Sequence, residues 1–143
     1  MMIAQILSTK GAAVYAVSGA TSLQDAAREL TEKKVGCVLV LDADGAIQGI
    51  LSERDIVRVV AQRGAAALDD AVDSAMSRAV ITISAEETVD DGLARMTDRR
   101  LRHLPVMREG ALIGLVSIGD LVKRKIEEVE VEAASLRAYI ASG

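Results

Sequence analysis

Gly49-Ile50-Leu51-Ser52-Glu53-Arg54-Asp55-Ile56 and Gly114-Leu115-Val116-Ser117-Ile118-Gly119-Asp120-Leu121 are two renderings of one string, 65 residues apart. In each, a glycine and two apolar residues lead to a serine, and an aspartate follows three positions later. Upstream of the first copy, Ile47 to Leu51 reads as a strand returning from a hairpin. Asp44-Gly45 is its turn signal, because glycine adopts positive φ cheaply. Before the turn, Val35 to Leu41 is a continuous apolar run, as expected of a strand covered on both faces. Further upstream, Leu23, Ala26, Ala27 and Leu30 follow the i, i+3, i+4, i+7 stripe of a half-buried helix. Ser22 is its N-cap, with a hydroxyl placed to take a free backbone N–H. Val14 to Val17 is a short leading strand, and Ser52 opens a second helix through Asp55, Ile56 and Val59. The order is β-α-β-β-α.

The same order recurs. A shift of 66 residues lays Val14-Tyr15-Ala16-Val17-Ser18 on Val80-Ile81-Thr82-Ile83-Ser84 and runs without a gap to Val38-Leu39-Val40 over Leu104-Pro105-Val106. One residue is lost where Asp42-Ala43-Asp44-Gly45 meets Arg108-Glu109-Gly110, and the two Ser/Asp strings then coincide. Thr88 takes the place of Ser22 as cap, with Asp90 and Asp91 in the positive first turn of the helix. A unit of ~60 residues is marginal alone, and each has a sheet face that must be covered. The expectation is an α+β fold of two β-α-β-β-α repeats packed as a pseudo-twofold pair, with repeat one at 8–66 and repeat two at 72–125. Arg63 to Asp73 is the linker and lead-in, with Gly64 as helix stop and Ala71 to Met76 a short helix. The Ile3, Ile6, Leu7 stripe plays the matching part before repeat one.

Residues 126–143 extend the last helix. Val122, Ile126, Val129, Ala133, Leu136 and Ile140 are spaced 4, 3, 4, 3, 4, an a/d heptad seam. Lys123 with Glu127 and Arg124 with Glu128 have i,i+4 spacing, in the less favourable orientation.

Composition removes whole classes of function. Half of the 143 residues are hydrophobic, yet Tyr15 and Tyr139 are the only aromatics. Ala, Val, Ile, Leu and Met must therefore fill the core. The net charge of −4 argues against a dedicated nucleic-acid binder, which concentrates basic charge on one face. One cysteine, Cys37, excludes an internal disulfide, and one histidine, His103, cannot join a Cys/His zinc cluster. No apolar run approaches the ~18 residues of a membrane span, and Met1 to Leu7 is a poor signal peptide. The expected location is cytoplasmic. Catalysis lacks equipment: no Walker loop, no metal cluster, no second histidine.

The paired strings, together with Arg102-His103-Leu104-Pro105-Val106, resemble a tandem pair of cystathionine-β-synthase (CBS) motifs, a Bateman module, over about residues 8 to 125. The resemblance implies a stand-alone, non-enzymatic regulator that binds adenosine-containing ligands (AMP, ATP, NAD(H) or S-adenosylmethionine, with AMP favoured) in the cleft between the motifs. It also implies a homodimer, and signalling to an unidentified protein partner.

The residues support a ribose site on their own chemistry. A strand ending at Ser117 before a helix start leaves unpaired N–H groups at a positive dipole end. The Asp120 carboxylate can accept two hydrogen bonds from a vicinal diol, and Ser52 with Asp55 repeats the arrangement. Ser-x-x-Asp is equally an ordinary capped helix start. By the family pattern, site one uses Lys10, Tyr15, Val35 and Gly36 with Ser117 and Asp120. Arg102 and His103 stand where some relatives place phosphate-facing basic residues. Site two uses Met76, Ile81 and Leu101 with Ser52 and Asp55, and Arg54 is in reach of a phosphate. Gly36 and Cys37 replace the basic pair there, so site one is the stronger.

Two readings stand for Tyr15, an adenine-stacking ring or plain filler. Two stand for His103, a phosphate or pH contact or a polar edge residue. Cys37 reads as a small buried hydrophobe. Pro105, lacking an N–H, suits a strand position whose donor would point to a cleft or an edge. Of the basic run Arg99 to Arg102, only Arg102 is expected to turn inward.

Overall fold

The computed structural model describes residues 1–142. Contacts divide the chain into two compact units, Val14–Val80 and Met1–Ala13 together with Ile81 onward. The segment before repeat one therefore belongs to the unit built around repeat two.

In the unit Val14–Val80, β1 (Ala16–Val17), α2 (Leu23–Lys33), β2 (Cys37–Leu41), β3 (Ile47–Ser52) and α3 (Glu53–Arg63) follow in order; α1 (Ile3–Lys10) lies in the other unit. The sheet order is β1-β2-β3, parallel between β1 and β2 and antiparallel across the hairpin. Ser22 caps α2 by accepting the Asp25 N–H, and Gly45 turns the hairpin at φ 83°. Leu23, Ala26 and Leu30 on α2 meet Val38, Val40 and Leu51 in a core that Val72, Ala75 and Met76 complete. Cys37 to Val40 are all buried, as a doubly covered strand requires. Gly64 ends α3, and the expected short helix at 71–76 is a 3-10 turn, Val72–Ser74.

The other unit repeats the plan with β4 (Ile83–Ser84), α4 (Val89–Arg99), β5 (His103–Arg108), β6 (Ala111–Ser117) and α5 (Ile118–Ser142), in sheet order β4-β5-β6. Thr88 and Asp91 form a reciprocal cap on α4. The N-terminal helix α1 (Ile3–Lys10) buries Ile3, Ile6 and Leu7 against Ile83, Met96, Leu104 and Leu121. A bidentate pair ties Arg95 on α4 to Glu87, whose carboxyl this guanidinium holds below the usual range.

Pro105 explains the one offset between the copies. Its counterpart Leu39 donates its N–H to the Tyr15 carbonyl. Pro105 has no N–H to give the matching Ile81 carbonyl, so pairing on this middle strand starts later, at Ile83 with Val106.

The i,i+4 pairs expected on α5 do not form. Arg124 turns to Glu127 and to the Thr9 hydroxyl of α1, and Lys125 pairs with Asp90 of α4. Arg124 thus takes a carboxylate at i+3 rather than i+4 on its own helix together with a hydroxyl of α1, and Lys125 takes a carboxylate from α4. No helix among the described residues is long and apolar enough to cross a membrane.

Candidate functional site

Each Ser/Asp string lands at a strand-to-helix junction. Ser52 ends β3 and caps α3, and Ser117 ends β6 where α5 begins. The Ser117 hydroxyl accepts the Asp120 N–H at 3.1 Å, and Asp120 Oδ2 accepts the Ser117 N–H at 2.9 Å. Asp55 and Ser52 exchange the same bonds at 3.3 and 2.9 Å. The reciprocal cap fixes each carboxylate at the positive end of its helix.

The two carboxylates differ in what neutralises them. Lys10, the last residue of α1, places its ammonium 2.7 Å from Asp120 Oδ2 and 3.0 Å from the Leu115 carbonyl. Both donors thus converge on Oδ2. In the other unit Met76 stands at the position matching Lys10, and Arg58 supplies the cation instead. Its guanidinium binds Asp55 Oδ1 at 3.0 Å and the Ala75 carbonyl. Asp55 Oδ2 already holds the Ser52 N–H and hydroxyl. Both oxygens of Asp55 are committed, whereas the Lys10 and Ser117 donors of Asp120 share Oδ2.

Burial raises the Asp120 carboxyl, but the Lys10 ammonium and the Ser117 amide outweigh it and leave the group below the usual carboxylate range. A depressed folded-state value means that this stabilisation is whole above the unfolded value, about pH 4, and is lost as pH falls through the folded one. The stability difference between wild type and Asp120→Asn is therefore expected to be present at pH 7 and to shrink toward pH 3. Melting temperatures of both proteins across that range check it.

An open pocket of about 100 Å³ adjoins Asp120, lined by Ile6, Thr9 and Lys10 of α1 and by Lys123, Arg124 and Glu127 of α5. Lys123 occupies the position that matches Arg58, and it lines this pocket rather than closing on the aspartate. A carboxylate beside basic side chains offers hydrogen-bond acceptance to hydroxyls and charge to an anion.

Of the expected site-one residues, Lys10, Ser117 and Asp120 are in direct contact. His103 stands beside them, with its Cα paired to that of Ser117 in the sheet. The Arg102 carbonyl accepts the Ile118 N–H, while its side chain is exposed rather than turned inward. Tyr15, Val35 and Gly36 belong to the other unit. There Tyr15 and Val35 pack on the core, and Lys33 sits 5.3 Å from the Tyr15 ring centroid. The Gly36 carbonyl accepts the Glu53 N–H. Of the site-two residues, Ser52, Asp55 and Met76 lie in that unit with an exposed Arg54, and Ile81 and Leu101 pack on the core of the other. Arg58 escaped the sequence reading, although its i+3 spacing from Asp55 was there to be seen.

The CBS domain family matches residues 4–62 and 71–127, one match for each repeat. The chain belongs to the CBS domain family. A mitochondrial CBS domain-containing protein of Arabidopsis thaliana is 34% identical over 126 residues, which cover 85% of this chain and 61% of that protein. The chain thus spans less than two thirds of that relative. The structure of a CBS-domain containing protein from Agrobacterium tumefaciens is 41% identical, with a TM-score of 0.85 over 87% of this chain and 92% of its own. A CBS domain protein from Pyrobaculum aerophilum, complexed with AMP, is 27% identical with a TM-score of 0.75, covering 84% of this chain and 89% of its own. The CBS repeats are thus those the Ser/Asp strings marked, and the mixed α+β fold with a long last helix is that of CBS-pair proteins.

Proposed function

We propose that this CBS pair is a non-catalytic, cytoplasmic regulatory module that binds an adenosine-containing ligand, AMP foremost, and works as a homodimer. The observation that carries the reading is Asp120: a carboxylate capped on Ser117 and neutralised by Lys10 through one oxygen, at the edge of a pocket where a ribose diol can meet it. The AMP bound by the Pyrobaculum relative supports the ligand class. Lys123 and Arg102 supply cations for a phosphate, and His103 a further polar contact. Asp55, held by Arg58, makes the second string the weaker site. With no Trp or Phe in the chain, aliphatic faces and backbone must hold adenine, so affinity falls in the micromolar range. The ligand regulates by its differential affinity for two arrangements of the protein.

Calorimetric melting against AMP, ATP, NAD, NADH and S-adenosylmethionine tests this. A ligand at a hundred times its dissociation constant adds about 2.7 kcal/mol, a rise of roughly 5–10 °C for a chain this size. A selective rise identifies the signal. Flat melting with every compound at millimolar concentration overturns the sensor reading in favour of a ligand-free structural or protein-interaction dimer.

A further inference from the structure

The heptad seam of α5 is bare. Val122, Ile126, Val129, Leu136 and Ile140 are 42 to 68% exposed, although Leu121 beside them is fully buried. The first turns of α5 pack on α1 and α4, and Leu121 is its one buried residue. An apolar stripe of this length on an anchored helix needs a cover, and the charges beside it select one.

In the heptad frame Ile126, Ala133 and Ile140 are a positions, and Val122, Val129 and Leu136 are d positions. The flanking g positions hold Lys125 and Glu132, and the e positions hold Lys123, Glu130 and Arg137. In a parallel pair, g of one helix meets the e five residues further along its partner. Glu132 then meets Arg137, and Lys125, which also holds Asp90 of its own chain, meets Glu130, both attractive. In an antiparallel pair e faces e and g faces g. With the whole seam covered, Lys123 faces Arg137, Glu130 faces Glu130 and Glu132 faces Glu132, all repulsive. An antiparallel register slipped by one heptad pairs Lys123 with Glu130 and Lys125 with Glu132, but it leaves Leu136 and Ile140 in water. Only the parallel, in-register pair satisfies charge and apolar cover together.

We propose that α5 of one copy pairs with α5 of a second copy as a parallel, in-register two-stranded coiled coil over Val122 to Ile140. This rests on the homodimer reading above and adds its surface, direction and register.

Charge reversal tests it by sedimentation equilibrium. Glu132→Arg sets a new guanidinium against that of Arg137 twice per dimer and is expected to weaken association roughly tenfold. Adding Arg137→Glu restores the attraction and the affinity. Under the slipped antiparallel register the second change rescues nothing, and that result overturns the proposal. Leu136→Cys in a Cys37→Ala background is expected to form a disulfide-linked dimer, because only in-register parallel helices bring the two Cα atoms within about 7 Å. A protein that stays dimeric as Leu136→Glu removes the seam but keeps the homodimer. A wild type that sediments as a monomer removes both.

Discussion

Asp120→Ala is expected to weaken adenosine-ligand binding at least about a hundredfold, measured by titration calorimetry with whichever compound raises the melting temperature most. The carboxylate would accept two hydrogen bonds from the ribose diol, and a hydrogen bond to a charged group contributes about 1.5–3 kcal/mol. Removing the acceptor also frees the Lys10 ammonium, at present 2.7 Å away and shared with the Leu115 carbonyl. Any phosphate attraction therefore survives, and a weak, salt-sensitive affinity should remain. Asp55→Ala is expected to do far less, because Arg58 and Ser52 already occupy both oxygens of that carboxylate. Lost reciprocal caps cost each variant about 1 kcal/mol of stability, so binding is compared well below both melting temperatures. Unchanged affinity in Asp120→Ala would end the ribose assignment.

That asymmetry was half legible in the sequence. Caps and turns are local, so Ser22, Ser52, Thr88, Gly45 and Gly64 could be read from two or three neighbours each, and the structure places all five as read. The duplication made the strand order legible as well, because one repeat checks the other. Partners distant in sequence were harder. Lys10 and Asp120 lie 110 residues apart and meet only because α1 packs on the second repeat's unit. The family pattern, not any periodicity, put them in one site. Arg58 was overlooked for the opposite reason: an i,i+3 ion pair on a helix looks like ordinary surface until its guanidinium is seen reaching the Ala75 carbonyl. The offset of β4 was also out of view, because the loss of the Pro105 N–H matters only once Ile81 is known to lie across from it. On α5 the i,i+4 spacing misplaces Arg124, which pairs at i+3 with Glu127 because its guanidinium also reaches Thr9 of α1.

Close backbone approaches leave no trace in a hydrophobic pattern, and the strongest stability prediction comes from one. Gly49 and Gly114 open the two Ser/Asp strings and are equivalent by repeat, yet alanine should cost them different amounts. The nearest atoms to a Cβ on Gly114 would be those of the Leu7 side chain, at 2.7, 2.8 and 3.3 Å. Leu7 is buried on α1 but is a side chain that can shift within its core, so Gly114→Ala should cost about 1 kcal/mol. A Cβ on Gly49 would stand 2.7 Å from both the Met76 sulfur and the Ser77 carbonyl oxygen. The thioether can move. The carbonyl cannot, because Ser77 and Ile50 exchange both backbone hydrogen bonds at 3.0 and 2.9 Å. Relief at Gly49 therefore requires that bridge to open, exposing two backbone groups that were paired. Adding that loss to the overpacking gives about 2–3 kcal/mol for Gly49→Ala, a fall of roughly 6–12 °C in melting temperature. Calorimetry on the two alanine variants checks the ranking. Equal losses would mean that the Ser77 bridge yields as easily as a leucine side chain, so that the lead-in between the repeats is not anchored at Ile50. A larger loss at Gly49 would show that the glycine is there for the backbone beside it. The Ser/Asp string would then carry two separate demands: a polar end that caps a helix and presents a carboxylate, and a glycine that lets the neighbouring chain lie against the strand.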